Sequence, residues 1–375
     1  MAEKKSPART SRRQALGVMG AAASAGMVGA ALPGSVAQAQ APAGATVFRV
    51  PEPPPRLAPR TELVNVLEYE TQARLVKGNA TMAPVTGSDR TITDRITLRP
   101  KMNIDCRDLD LTANLLGDQH FTPIIVGPIA NLRRFHADGE VAMARGASAA
   151  KAAMVISSDS SVPLAAIAQA ATTPLYVQVY AGSPNVKEKL AQASAARARA
   201  VFVTVNAGTS ATGAASAGAA IDWAGVEAVV KATSLPVVVK GITRPADARE
   251  AANRGARGVV VSNYRGGNAA SLPGTLLMIQ PVVQAVGDRI TVLADGSFRR
   301  GTDILKALGL GAKGVLIGRP VAWGLAAYGA DGVQGVVEML QTETARYMAM
   351  CCRPSLASID SSVVRIHAPL PRART

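Results

Sequence analysis

Residues 236–240 read Pro-Val-Val-Val-Lys, and residues 258–263 read Gly-Val-Val-Val-Ser-Asn. Both are unbroken β-branched runs that end on polar side chains. A strand facing solvent on one side alternates apolar and polar residues, whereas one buried on both faces, as in a parallel sheet, does not. Between the runs lies Pro245–Arg254, Ala-rich and amphipathic, with Pro at a helix-starting position. The stretch therefore reads strand, helix, strand, with polar groups gathered where the strands finish.

The same pattern extends in both directions. Strand runs are predicted at Pro123–Val126, Ala153–Ser157, Leu175–Tyr180, Ala200–Asn206, Thr291–Asp295 and Gly314–Gly318, making eight with the two above. Helix patterns fall at Gly139–Lys151, Asn185–Ala196, Asp222–Lys231, Gly301–Leu308 and from Val321 onward. Eight βα units in roughly 200–250 residues is the size of an α/β TIM (β/α)8 barrel. The alternative, an open doubly wound sheet, calls for a Gly-rich fingerprint after its first strand, and Gly127-Pro128-Ile129-Ala130 is not one.

A barrel places its chemistry at the C-terminal ends of the strands. Those ends carry Pro128, Ile129 and Ala130; Ser157; Gln178 and Tyr180; Thr204 and Asn206; Lys240; Ser262, Tyr264 and Arg265; Asp295 to Arg300; and Gly318-Arg319. After strands seven and eight, Gly296 and Gly318 allow close backbone approach, and Arg299 and Arg319 can fork onto phosphate oxygens. Ser157, Gln178 and Thr204 are neutral donors and acceptors suited to the edge of a heterocycle. Lys240, ending an apolar run, is expected either to pair with Asp295 or to face a developing negative charge. Together these features suggest a mononucleotide cofactor.

The runs Thr233–Gly241 (TSLPVVVKG), Ala294–Asp303 (ADGSFRRGTD) and Ile317–Pro320 (IGRP) resemble the FMN-dependent α-hydroxy acid oxidase/dehydrogenase family across about residues 62–365. The resemblance implies an FMN-linked barrel acting on CH–OH donors. It implies backbone contacts to the flavin from Pro128, Ile129 and Ala130, and a polar edge held by Ser157, Gln178 and Thr204, with Ser262 close by. Lys240 would stabilise the reduced ring and Asp295 would hold the ribityl chain. Gly296, Arg299, Gly318 and Arg319 would hold the phosphate, with Ser297 and Phe298 as mild variations in that loop. No metal is implied.

The substrate half departs from the family pattern. Tyr264 stands where the family has its His base, Gly267 where it has a carboxylate-binding Arg, and Asn206 where it has the Asp partner of the His. Residues 207–220 are a short run of small side chains, and Lys77–Gly87 holds no Tyr. An ordinary Tyr has a pKa of about 10, so basicity at neutral pH would need a shift worth roughly 4 kcal/mol. Two readings follow. In the first, the chain is an FMN oxidoreductase oxidising a small anionic hydroxy acid, with Tyr264 and Arg265 orienting substrate beside Lys240 and Tyr180 lining the pocket. In the second, it binds FMN without that activity, as an electron relay or an assembly subunit.

Composition narrows the remaining classes. The chain has 375 residues, 48% hydrophobic and 18% charged, which excludes a disordered chain. Aromatic residues are 3%, too few to stack successive bases, and the Lys/Arg residues form no dense run, so no nucleic-acid partner is expected. Three cysteines, Cys106, Cys351 and Cys352, make neither a disulfide scaffold nor a zinc spacing, and Cys351 and Cys352, late in the final helix, are expected to be packed or partly buried thiols. Residues 1–39 read as a twin-arginine-type signal: Arg12-Arg13, the weakly apolar run Ala15–Leu32, then Ala37-Gln38-Ala39. Its removal would lower the net charge from +15 to about +11. Bacterial periplasmic or other extracytoplasmic residence is expected, with membrane contact only if the signal stays uncleaved. Residues 40–61 read as a Pro-rich linker and residues 366–375 as a basic tail. The family resemblance implies a homo-oligomer.

Overall fold

The computed structural model describes residues 56–87, 90–205, 221–264 and 274–368. The signal, most of the linker, Asn206, residues 207–220, Arg265, Gly267 and the end of the tail lie outside these described residues. Eight parallel strands close into a barrel: β1 (Ile124–Val126), β2 (Ala153–Ile156), β3 (Leu175–Tyr180), β4 (Ala200–Thr204), β5 (Val237–Ile242), β6 (Gly258–Ser262), β7 (Thr291–Asp295) and β8 (Gly314–Ile317). They pair in chain order, and β8 pairs with β1 to complete the ring. Every predicted strand run falls on one of them.

Around the barrel lie α1 (Val66–Met82), α2 (Gly139–Ala149), α3 (Leu164–Ala170), α4 (Val186–Ala195), α5 (Trp223–Ala232), α6 (Pro245–Asn253), α7 (Thr275–Val286), α8 (Gly301–Gly309) and α9 (Arg319–Met350). Three of these carry weak sequence signals. Gly78 breaks α1 with φ 77°, α3 is a short Ala-rich stretch, and α7 contains Pro281. The long α9 turns at Tyr328-Gly329, where Gly329 has φ 61°. That turn presses Gly324 against Gly332 so closely that neither could carry a Cβ.

Strand alternation sorts the residues. Outward positions such as Val237, Val239, Val259 and Val261 pack under the helices. Inward positions, including Ile125, Val155, Tyr176, Phe202, Val238, Val260, Leu293 and Leu316, fill the barrel as a second core. A hairpin of Ala113–Leu115 and Asp118–His120 closes the N-terminal end, with Leu115 fully buried beneath the inner core. Tyr176 OH and His120 Nε2 are hydrogen-bonded at 3.0 Å inside this plug. Burial pushes the His120 pKa down and the Tyr176 pKa up, so both are neutral at pH 7.

The packed body runs past both sequence boundaries drawn for it. In the stretch read as linker, Ala58 N donates to Gln72 Oε1 at 2.9 Å and Tyr328 OH donates to Ala58 O at 2.7 Å. At the other end, Val364–Ile366 pairs antiparallel with Ile96–Leu98, and His367 N donates to Arg95 O at 2.8 Å. Docking of these backbones, which composition does not report, moves the boundaries.

Candidate functional site

The alternation that builds the inner core places a polar layer above it. Ser157, Gln178, Tyr180, Thr204, Lys240, Ser262 and Asp295 continue the inward-facing series at the C-terminal strand ends. The register sets Tyr180 beside Thr204, Thr204 beside Lys240, and Ser262 beside Asp295. Along one side, Gln178 Nε2 donates to Thr204 Oγ1 at 3.0 Å and to Val179 O at 3.1 Å. Its Oε1 accepts from Ser158 N at 3.2 Å and Ser157 Oγ at 3.3 Å. The amide is thereby locked in one orientation. Pro128, Ile129 and Ala130 are half-buried just beyond β1.

Lys240 is 3% exposed. Its Nζ lies 2.6 Å from Asp295 Oδ2 and donates to Ser262 Oγ at 3.3 Å, while Ser262 Oγ donates to Asp295 Oδ2 at 2.9 Å. Beside it, Gly241 has φ 109° and the register against β6 slips between Lys240 and Ile242. The expected Lys240–Asp295 pair thus forms and anchors the ammonium at the floor of the mouth. The ion pair does not exclude an anionic ligand there, because Lys carries three donors.

Past β7 and β8 the two arginines converge. Arg299, 2% exposed, donates from Nη2 to Gly87 O at 2.9 Å and from Nη1 to Phe298 O at 2.9 Å, with its guanidinium 4.7 Å over the Trp323 ring. Arg319 Nη1 donates to the same Gly87 O at 2.7 Å and to Thr86 O at 3.2 Å; Nη2 reaches Ser297 Oγ at 3.4 Å. Among the described residues neither has a carboxylate at ion-pair distance, because Asp303 is taken by Arg90 in two bonds of 2.8 and 3.0 Å. Burial, reinforced by the Arg319 charge, pushes the Arg299 pKa down to about 9, and Arg299 Nε has no partner. Two desolvated cations sharing one neutral carbonyl are stabilised by an anion. Gly296 (φ 131°) and Ser297 (φ 56°) wrap the backbone tightly beside them, and the space around Gly318 Cα is open. These groups fit a phosphate monoester.

Above the layer, Tyr180 is buried and its pKa is raised by burial, then by Asp159. Tyr264 keeps 41% exposure, and its ring centre lies 5.3 Å from Lys240 Nζ. Partial burial, then the negative charge of Asp295, raise its pKa further above 10. The shift runs against a role as base. Two side chains at the mouth escape a reading that stops at the strand ends. Asp159, in the loop after β2, acts electrostatically on both Tyr180 and Tyr264. Arg134, after β1, is coupled to Tyr264, is partly desolvated so that its pKa falls, and has no carboxylate at ion-pair distance among the described residues. Asn131 N donates to Asp159 O at 2.9 Å, tying the two loops together. Asp159 lies two residues beyond Ser157, so a slightly longer window would have reached it.

No histidine stands in for the base. His120 is in the plug, His136 Nδ1 accepts from Asp138 N at 3.2 Å, and His367 Nε2 is 2.8 Å from Thr97 Oγ1. A cavity of about 800 Å³ lies between α3 and α4, reaching Ile156, Ser157, Ser158 and Val177 and lined also by Lys189 and Arg197. No group of His, Cys, Asp and Glu side chains suited to a metal ion occurs among the described residues.

The family model described as FMN-dependent dehydrogenase matches residues 71–216 and 206–366. The chain belongs to this family. Its similar relatives include a peroxisomal (S)-2-hydroxyacid oxidase of Arabidopsis thaliana, 32% identical over 309 residues (72% of this chain, 85% of the relative). Glycolate oxidase of Spinacia oleracea is 31% identical over 363 residues (84% and 98%). A mandelate oxidase crystallised with (S)-mandelic acid superposes with a TM-score of 0.74 at 32% identity, covering 82% of this chain and 99% of that one. The family cofactor, FMN, is the cofactor of this chain, and its relatives are oxidoreductases acting on CH–OH donors.

Proposed function

We propose that the chain is an exported FMN-dependent oxidoreductase that converts a small 2-hydroxy acid to the 2-oxo acid. The observation that carries this reading is the presence, at one end of the barrel, of the buried Lys240 ammonium and of two guanidinium groups, Arg299 and Arg319, that have no carboxylate at ion-pair distance among the described residues. Bound FMN supplies the two-electron redox step. Arg299 and Arg319 hold its phosphate, with Gly296, Ser297, Phe298 and Gly318 shaping the backbone around it. Asp295 takes the ribityl hydroxyls. Ser157, Gln178 and Thr204 present fixed donors and acceptors to the polar edge of the ring, and Pro128, Ile129 and Ala130 cover it from β1. Lys240, steadied by Ser262 and Asp295, would supply a positive charge beside the bound ring and favour its reduced, anionic form.

On the substrate side, Tyr264 keeps its proton and donates a hydrogen bond, and Tyr180 lines the pocket. Arg134 supplies the positive charge for the substrate carboxylate, and Arg265, which follows β6 in the sequence, contributes orientation. The chemistry of the relatives, which are named for 2-hydroxy acids, supports an anionic substrate. The paired arginines of residues 1–39 support export to the periplasm, and family membership supports a homo-oligomer. The test is product formation: FMN-loaded protein, a panel of 2-hydroxy acids and an artificial electron acceptor should yield the 2-oxo acid, and the matching carboxamides should yield less than a tenth as much. Carboxamides equal to acids would remove the anionic-substrate reading.

One observation favours a second reading, FMN binding without hydroxy acid oxidation. Tyr264 stands in the place of the base with its pKa shifted upward, and the chain's histidines are elsewhere. Absence of 2-oxo acid from every donor, with FMN still bound one per chain, would select it.

A further inference from the structure

Cys351 and Cys352 were expected to be packed or partly buried thiols, and Cys351 is buried in the core while Cys352 is partly buried. Cys352 and Cys106 have a further relation. The segment from Lys101 to Asp110 lies along the chain that leaves α9. Lys101 N donates to Cys351 O at 3.2 Å, Asp110 N donates to Pro354 O at 2.8 Å, and Asp110 forms a parallel bridge with Ser355. These contacts pin the segment at both ends and leave Cys106 between them. Cys352 is one residue past the helix end, where Cys351 caps α9, and it adopts a left-handed backbone with φ 51°. That conformation turns its side chain away from the helix path. Both thiols are half-buried, so small reagents reach them, whereas Cys351 is shielded. Cys106 is in side-chain contact with Cys352: after desolvation, the Cys352 charge and a side-chain hydrogen bond to it raise the Cys106 pKa, with Asp105 adding to them and the Arg353 guanidinium opposing them.

We propose that Cys106 and Cys352 form a disulfide that fastens the 101–110 loop to the end of α9. The pairing stands independently of the FMN reading. It fits an extracytoplasmic compartment, where such bonds persist. Chemically it needs an external disulfide as oxidant. One cysteine thiolate attacks that disulfide and releases one thiol; the second cysteine then displaces the remaining half as a second thiol. Two protein thiols are oxidised to one disulfide, and the reagent is reduced to two thiols, which take up the two protons. The raised Cys106 pKa makes uncatalysed exchange slow at neutral pH and faster at pH 8.5.

The experiment uses the full folded chain incubated with glutathione disulfide at pH 8.5. Thiol titration after unfolding should find one thiol where the reduced chain has three, and the mass should fall by about 2 Da. Peptide mapping should join residues 102–107 to residues 347–365, and Cys351→Ser should preserve that link. The melting temperature should rise by about 5 °C on oxidation, fall back with dithiothreitol, and show no such response in Cys106→Ser. Three titratable thiols after incubation, glutathione left on both cysteines, or a link through Cys351 would each overturn the proposal, and the wild-type measurement decides it even if a variant folds poorly.

Discussion

The two halves of the barrel mouth are built from different material. Most of the proposed ring-facing side is made of strand ends: Gln178, Thr204, Lys240, Ser262 and Asp295 are fixed by ladder register and by one another, at 2.6–3.3 Å, while Arg299 and Arg319 follow β7 and β8. The proposed substrate side has Tyr180 at the end of β3 but is otherwise made of loops, where Tyr264 keeps 41% exposure and Arg134 and Asp159 stand on the connections after β1 and β2. Strand register cannot change at one position without moving its neighbours, whereas a loop can exchange a side chain locally. The runs that carry the resemblance to the family, Thr233–Gly241, Ala294–Asp303 and Ile317–Pro320, accordingly fall in the proposed cofactor half.

The largest effect expected from breaking the cofactor half is on FMN itself. Replacing both Arg299 and Arg319 by Ala should weaken FMN binding about 10³-fold, since each charge-assisted contact contributes roughly 2 kcal/mol. Fluorescence titration of the apoprotein reads this directly, and a loss under tenfold would move the phosphate elsewhere. Next comes Lys240→Met. FMN should remain bound, but its reduction should slow about 10²–10³-fold, the usual cost of removing a preorganised charge. The unpaired Asp295 should also lower the melting temperature.

Changes in the substrate half should be smaller and should spare the cofactor. Arg134→Leu should raise KM for a hydroxy acid about 30-fold with FMN affinity unchanged, with partial rescue in Arg134→Lys. Equal KM values would show that another cation binds the carboxylate. Tyr264→Phe should lower kcat/KM by about tenfold or less, equally at pH 6.5 and 8.5. Its pKa is above 10, so it is a protonated donor over that whole window and contributes no limb. A rate rising with pH in the wild type and flat in the variant would restore Tyr264 as a base. The smallest effect lies at the far end of the barrel. Asp118 in the plug is held below the ordinary carboxylate range, chiefly by hydrogen bonds from Arg199. A depressed folded pKa adds stability above the unfolded value and loses it as pH falls below about 4. Asp118→Asn should therefore cost under about 1 kcal/mol at pH 7, because Arg199 is largely exposed, and the difference should vanish in acid.

Legibility in the sequence follows the same division. Buried parallel strands announce themselves through runs such as Val237–Val239, and the polar residue ending each run marks the layer that became the site. Arg299 and Arg319 were legible because Gly-containing turns follow β7 and β8. Arg134 was not, because its proposed role comes from its surroundings: the side chain is exposed yet partly desolvated, close to Tyr264, with no carboxylate at ion-pair distance among the described residues. The approach of Cys106 to Cys352 was equally invisible, since backbone hydrogen bonds between distant segments create it. The helices that escaped notice, α1, α3 and α7, carry Gly78, a short Ala run and Pro281, where local signals contradict the tertiary outcome.

Mixing the purified FMN-loaded protein with 2-hydroxy acids in the absence of oxygen addresses the central claim most directly. At least one of them should bleach the oxidised-flavin absorbance fully and in proportion to the protein, and its carboxamide should do so far more slowly. A flavin that stays oxidised before every hydroxy acid, yet is reduced by dithionite in the same cuvette, would contradict it.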